Sequence, residues 1–204
     1  MRDQATDVIS FLLENEALRF GEFTLKSGDS SPFFVNLGAI RSAAALATLA
    51  KYLAARVHSA FPDTTLLFGP AYKGISMATA TALEHRLAYN SDLALCFDRK
   101  ETKGHGELGN FIGQPPKPTD RVVIIDDVIS NGGTKRQAME SLRATFGVAT
   151  AEILVAVNRV RRRDRPSLGE MRLEALVDIT DLVAFLQARN DPQAEAMMNF
   201  YEEA

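Results

Sequence analysis

Cysteine is almost absent: Cys96 stands alone in 204 residues. An internal disulfide is therefore impossible, and a reducing cytoplasm is the expected location. No apolar run approaches the roughly 20 residues of a membrane span. The opening Met-Arg-Asp-Gln does not read as a secretory leader, so no membrane partner is expected. An excess of one charge sign is also missing. Lys and Arg number 23 against 26 Asp and Glu, a net charge of -3, which argues against general nucleic-acid binding. Repeats and low-complexity segments are absent too. What remains is 46% hydrophobic and 24% charged residues, the composition of one packed domain too short to be two.

Along the chain, Val8, Phe11, Leu12 and Leu18 recur at helical spacing, predicting an amphipathic helix over 3–18. Residues 20–40 change character. Phe20, Phe23 and Leu25, then Phe33, Phe34, Val35 and Leu37, form short runs broken by Gly28 and Pro32, as expected of two short strands. Residues 1–40 are thus expected to be a helix and small hood within the same compact unit as a 41–204 core. Ser42 can cap a helix reaching His58. From there strand, loop and helix repeat. Strands are expected over 64–68, 93–97, 122–125 and 153–157, with helices over 74–87 and 134–145. The polar stretch 98–120 intervenes, and a flexible loop is expected over about 98–119. Closing helices over 177–204 should break near Asn190-Asp191-Pro192. Strands apolar on both sides, alternating with helices, predict an α/β fold whose central, mostly parallel sheet is flanked by helices.

Ligands of such sheets bind beyond the carboxyl ends of the strands. After 122–125 comes Asp126-Asp127-Val128-Ile129-Ser130-Asn131-Gly132-Gly133-Thr134. Two adjacent carboxylates repel one another and need a counter-charge. The small residues and glycines that follow can converge backbone N–H groups on an anion at a helix N-terminus. Together these features suit a ribose 5-phosphate unit, with its phosphate over residues 130–134 and its hydroxyls at the acids. The segment resembles the phosphoribosyl diphosphate signature of the type I phosphoribosyltransferases, which join ribose 5-phosphate to a nitrogenous base and release diphosphate. It does not choose the base.

Three further segments bear on that choice. Phe68-Gly69-Pro70-Ala71-Tyr72-Lys73-Gly74 offers a turn able to cup a diphosphate and a mobile cation in Lys73. Arg99, Lys100, Lys103 and His105 concentrate positive charge in a glycine-bearing stretch suited to a lid. Residues 23–28 and 31–36 place Lys26 and the Phe34-Val35 backbone where a flat anionic heterocycle could be met. With these segments the chain resembles the orotate phosphoribosyltransferase family over nearly its whole length. The resemblance implies that family's fold and its reaction: orotate and 5-phosphoribosyl 1-diphosphate (PRPP), with Mg²⁺, give orotidine 5′-phosphate and diphosphate. It implies a homodimer with active sites shared between chains, and Mg²⁺ carried mainly by PRPP with no assigned protein ligand.

Residue by residue, the resemblance places Lys26, Phe34, Val35, Ser130 and Arg159 on orotate. It places Tyr72, Lys73, Arg99, Lys100, Lys103, His105, Asp126, Asp127, Val128, Ile129, Ser130, Asn131, Gly132, Gly133 and Thr134 on PRPP. Lys73, Arg99, Lys103, His105, Asp126 and Asp127 are the expected catalytic group. Asn158 stands where an acidic residue is usual and Asn131 where Thr or Ala is common. Arg161, Arg162 and Arg163 follow Arg159, which leaves the carboxylate-binding register open by a few residues. Cys96 reads as a core residue, while His58 and His85 have no partner at metal spacing. Two rivals stand beside this reading: a transferase for another base, and a non-catalytic PRPP sensor, which would need a nucleic-acid surface that the charge balance does not supply.

Overall fold

The computed structural model describes residues 2–24, 28, 30–99, 110–162 and 168–202. Helix α1 (Arg2–Glu14) leads into the antiparallel pair β1 (Leu18–Thr24) and β2 (Ser30–Val35). The pairing breaks between Phe20 and Phe23, where Gly21 adopts φ +141°. Next come α2 (Ala43–Ala60), β3 (Leu66–Gly69), α3 (Lys73–Tyr89), β4 (Ala94–Asp98) and β5 (Phe111–Gly113). The chain continues with β6 (Val122–Ile129), α4 (Gly133–Phe146), β7 (Ala151–Asn158), β8 (Leu173–Asp178), α5 (Ile179–Gln187) and α6 (Gln193–Glu202). Among the described residues, no helix is long and apolar enough to cross a membrane.

The main sheet has six strands in the order β5-β4-β3-β6-β7-β8, all parallel except β5. Alternate residues of its strands bury on opposite faces, as the pleat dictates. Leu67, Val123, Ile125 and Leu154 pack with Val8, Leu12, Leu49, Leu53 and Leu182 of the helices on one side. Leu66, Phe68, Val122 and Ile124 pack with Ala138, Met139 and Leu142 of α4 on the other. Cys96 is buried in that second layer, which pushes its thiol up to about 12 and makes it inert. Ser42 caps α2 through the Ala45 N–H as expected.

The structure corrects several boundaries. The first helix stops at Glu14, and Leu18 belongs to β1 opposite Val35. Strand β6 runs four residues past Ile125, because β7 offers pairing partners as far as Asn158 for Ile129. Asp126 and Asp127 therefore lie inside a strand. The stretch expected to be a loop over 98–119 contains β5, held by pairing to β4 and by Phe111 packing on Phe68 and Phe146. Residues 100–109, including Lys100, Lys103 and His105, lie outside the described residues, as does Lys26. Strand β8 was not expected; its Leu-Glu-Ala-Leu-Val-Asp has no strict alternation, and pairing with β7 decides its form.

His58 on α2 and His85 on α3 come together, with ring centroids 5.8 Å apart, beside Tyr89, which stacks on His58 at 3.8 Å. His85 is buried with Nδ1 unpartnered, and desolvation followed by the charge of His58 lowers its pKa. A histidine that resists protonation when folded removes stability as pH falls below its unfolded value of about 6.5. The raised carboxyls of Asp126 and Asp181 act in the opposite sense but are common to any His85 variant. The Tm advantage of wild type over His85→Gln should therefore shrink from pH 7.5 to pH 5.5. Parallel melting curves across that range would refute the role of His85.

Candidate active site

The strand order reverses at β3, with β4 on one side and β6 on the other. A crevice opens at such a switch, outside the carboxyl ends of the strands. Four segments expected to carry chemistry meet at that edge: Asp98-Arg99 after β4, residues 69–73 after β3, residues 126–134 at β6, and Asn158-Arg159 after β7.

The β3–α3 turn lies against β6. A Cβ at Gly74 would fall 2.7 Å from Pro70 Cδ and 2.9 Å from the Ile125 carbonyl oxygen, so only glycine permits this approach. The Ala71–Tyr72 peptide is cis, and the Ala71 N–H donates to Asp98 Oδ1. Tyr72 is 64% exposed at the start of α3. Lys73, the first residue of α3, reaches back so that Nζ sits 2.6 Å from Asp127 Oδ2.

The acid pair finds two counter-charges, one from each flanking helix. Lys73 answers Asp127; Lys135, from the first turn of α4, answers Asp126 with Nζ 2.6 Å from Oδ2. The environments differ. The Lys73 side chain is 47% exposed, that of Lys135 4%. Burial raises the Asp126 carboxyl, and the Lys135 ammonium opposes that rise. The remaining carboxylate oxygens accept from the backbone: Asp126 Oδ1 from the Asp127 N–H at 2.9 Å, Asp127 Oδ1 from the Val128 N–H at 2.8 Å.

Beyond the acids, Ile129 is buried and ends β6, while Ser130 and Asn131 are exposed. Gly132 takes φ +71° as the chain turns into α4 at Gly133, and Thr134 is exposed in the first turn. Asn131 is used locally: its Oδ1 accepts the Gly133 N–H at 3.0 Å, and its carbonyl accepts from Arg136 Nη1 at 3.0 Å. Asn158 is likewise engaged, its Oδ1 accepting the Val160 N–H at 3.0 Å to shape the turn after β7. Both residues at unusual positions thus serve local turns.

Arg159 joins the hood to the crevice. Its backbone N–H donates to Ile129 at 2.8 Å, Nη2 donates to Ser31 at 3.3 Å, and its guanidinium lies 4.8 Å from the Phe33 ring centroid. Burial and then the charge of Arg161 lower its pKa, and its Nε is buried without a partner. Phe34 points to the opposite side of β2, stacked on Phe23 beneath Arg19. Val35 is buried opposite Leu18. Arg99 donates its backbone N–H to Asn110 at 2.7 Å, which ties the end of β4 to the approach to β5.

Sequence reasoning demanded a counter-charge for the acids but did not name Lys135 or Arg136. The signal was present in Thr134-Lys135-Arg136, two cations directly after the loop.

Comparison with known proteins shows the family. The family model described as "Phosphoribosyl transferase domain" matches residues 37–185. The orotate phosphoribosyltransferase of Pseudomonas fluorescens (strain SBW25) is 39% identical, covering 95% of this chain and 92% of its own length. That of Aliivibrio fischeri (strain MJ11) is 38% identical, covering 100% and 99%. The crystal structure of the Francisella tularensis orotate phosphoribosyltransferase superposes with a TM-score of 0.78 at 31% identity, covering 95% of this chain and 91% of that one.

The contact at Gly74 is testable. Gly74→Ala should destabilise the chain by about 1–3 kcal/mol through overpacking, lowering Tm by a few degrees per kcal/mol (about 2–4 °C) at this size. A melt indistinguishable from wild type would show that α3 can move off β6 freely.

Proposed function

The chain belongs to the orotate phosphoribosyltransferase family, and from that premise we propose how its crevice performs the transfer. Ribose 5-phosphate passes from PRPP to orotate, giving orotidine 5′-phosphate and diphosphate, a step of pyrimidine synthesis. The observation that carries the site assignment is the acid pair at the sheet's switch point, each acid held on a lysine from a different helix.

Residues 130–134 receive the 5′-phosphate on backbone N–H groups at the start of α4. Asp127 and Asp126 lie beside the ribose hydroxyls. Lys73, half exposed, exchanges Asp127 for the incoming diphosphate, which frees the carboxylate for a hydroxyl. Displacement at the anomeric carbon builds positive charge on the sugar and negative charge on the departing diphosphate. Orotate presents an ionisable ring nitrogen as the nucleophile, so no strong general base is needed and the rate rests on positioning and electrostatics. Arg159 meets the orotate carboxylate at the edge of the hood. Lys26, Phe34, Val35 and Ser130 complete the base side. Tyr72, Arg99, Lys100, Lys103 and His105 close over the diphosphate.

Magnesium fits this donor set as part of the substrate. Both acids spend an oxygen on a lysine, and the described residues contain no cluster of three His, Cys, Asp or Glu able to hold a metal. Carried by PRPP, Mg²⁺ would supply neutralisation of the diphosphate charge, beside the charge that Lys73 provides. Leu83 and Leu87, one turn apart on α3 and 62% and 79% exposed, offer an apolar face for a homodimer, in which the 99–105 segment serves the neighbouring site. Pyrimidine synthesis and the single buried thiol both suit the cytoplasm.

Loss of orotate's ultraviolet absorbance with PRPP and Mg²⁺ tests the reaction directly; turnover of a purine in its place would transfer the assignment to another base. Lys103→Ala should lower kcat by ~10²-fold, the scale of one preorganised charge contact, at unchanged Tm. A wild-type kcat in that variant would remove the lid from the mechanism.

A further inference from the structure

Lys135 is the one lysine among the described residues that is buried, at 3% exposure. It occupies the first turn of α4, where the helix dipole favours anions and disfavours cations. Desolvating an ammonium there is costly unless it is paired and hydrogen-bonded. A residue that breaks a local rule this way marks a functional constraint. Its partners show which one. Nζ donates to Asp126 Oδ2 at 2.6 Å and to the Val128 carbonyl at 2.6 Å. Both acceptors lie on β6, and the donor lies just past residues 129–134. The ammonium thus closes a ring around the phosphate-binding turn, joining the strand that enters it to the helix that leaves it.

The same contact divides the labour of the two acids. Asp126 has Oδ2 on Lys135 and Oδ1 on the Asp127 N–H, with a side chain only 14% exposed. Asp127, equally buried at 13% exposure and with Oδ1 on the Val128 N–H, has as its counter-ion among the described residues the half-exposed Lys73. Without Lys135, Asp126 would be uncompensated, and once Lys73 turned to the diphosphate both carboxylates would confront a substrate that carries a phosphate and a diphosphate.

We infer that Lys135 is a positioning residue for PRPP: it holds Asp126 in place, sets the curvature of the 129–134 turn, and leaves a single exchangeable acid, Asp127, toward the incoming anion. This rests on the reading that the turn binds the ribose phosphate.

Lys135→Met tests it. The variant should lose about 10²-fold in kcat/KM for PRPP, the scale of displacing a binding group by about 1 Å, with the loss mainly in KM and the KM for orotate within about twofold. That split is one a merely structural lysine would not produce. An unchanged KM for PRPP in folded Lys135→Met overturns the inference. Should Lys135→Met fail to fold, Lys135→Gln removes the charge but keeps a hydrogen-bond donor beside an intact Asp126. Recovery of the melt with PRPP affinity still depressed supports positioning, whereas recovery of both overturns it. Titration calorimetry with ribose 5-phosphate, which carries neither diphosphate nor base, separates the two readings. Weakened binding in the variant supports the role of Lys135 even if wild type fails to convert orotate, a failure that would fall on the reaction alone. Equal binding by both proteins overturns the role of Lys135.

Discussion

Charge neutrality at two adjacent aspartates is the constraint around which the crevice is organised. Asp126 and Asp127 sit near the end of a central strand, mostly out of water, where two adjacent acids need counter-charges close by. The two cations come from α3 and α4, the helices that follow the two strands at the switch point. Satisfying the acids therefore ties both helices to the strand ends. That requires the close approach at Gly74, because a side chain there would lift the start of α3, and Lys73 with it, away from β6. Fold and site are here one arrangement. The contacts that hold the helices against the sheet also shape the 129–134 turn.

Arg159 ties the hood to this centre. Arg159 continues from the β6–β7 ladder through its N–H to Ile129 and reaches Ser31 and the Phe33 face on β2. A guanidinium over an aromatic ring keeps its charge while its stem is desolvated. Arg161 and Arg162 face other surroundings: Arg161 lies over Phe200, and both line a cavity of about 330 Å³ with Thr180 and Tyr201. Of the described arginines 159, 161 and 162, Arg159 is the one whose contacts reach Ser31 and Phe33 of the hood, which supports the proposed register.

Much of this could be read from the chain alone, for physical reasons that differ by element. Buried parallel strands such as Val122-Val123-Ile124-Ile125 announce themselves because both faces are covered, and Ser42 marks a helix start because its hydroxyl can cap one. Strand β5 was hidden inside a polar stretch: its form depends on pairing with β4 and on distant rings at Phe68 and Phe146. β8 was hidden likewise, needing β7 to define it. The acid pair and the glycine-bearing turn were visible as a string, and so was their need for a counter-charge. Lys135 escaped notice because a lysine at a helix start ordinarily reads as a solvated surface group. Only the fold shows it turned inward.

On the proposed reading of the site, that inward turn also distinguishes which ion pair yields to substrate. Coulombic attraction at contact distance is modest where water screens it and several-fold stronger where water is excluded. Lys73 can leave Asp127 for a diphosphate and be rehydrated on the way, since nearly half of its side chain is already exposed. Lys135 has no such route, because separating it from Asp126 and Val128 would strand a charge in the interior. An anion entering the crevice can therefore compete for the first lysine but not for the second. The site has one fixed acid–base contact and one exchangeable contact, and exposure rather than distance distinguishes them, both salt bridges being 2.6 Å long.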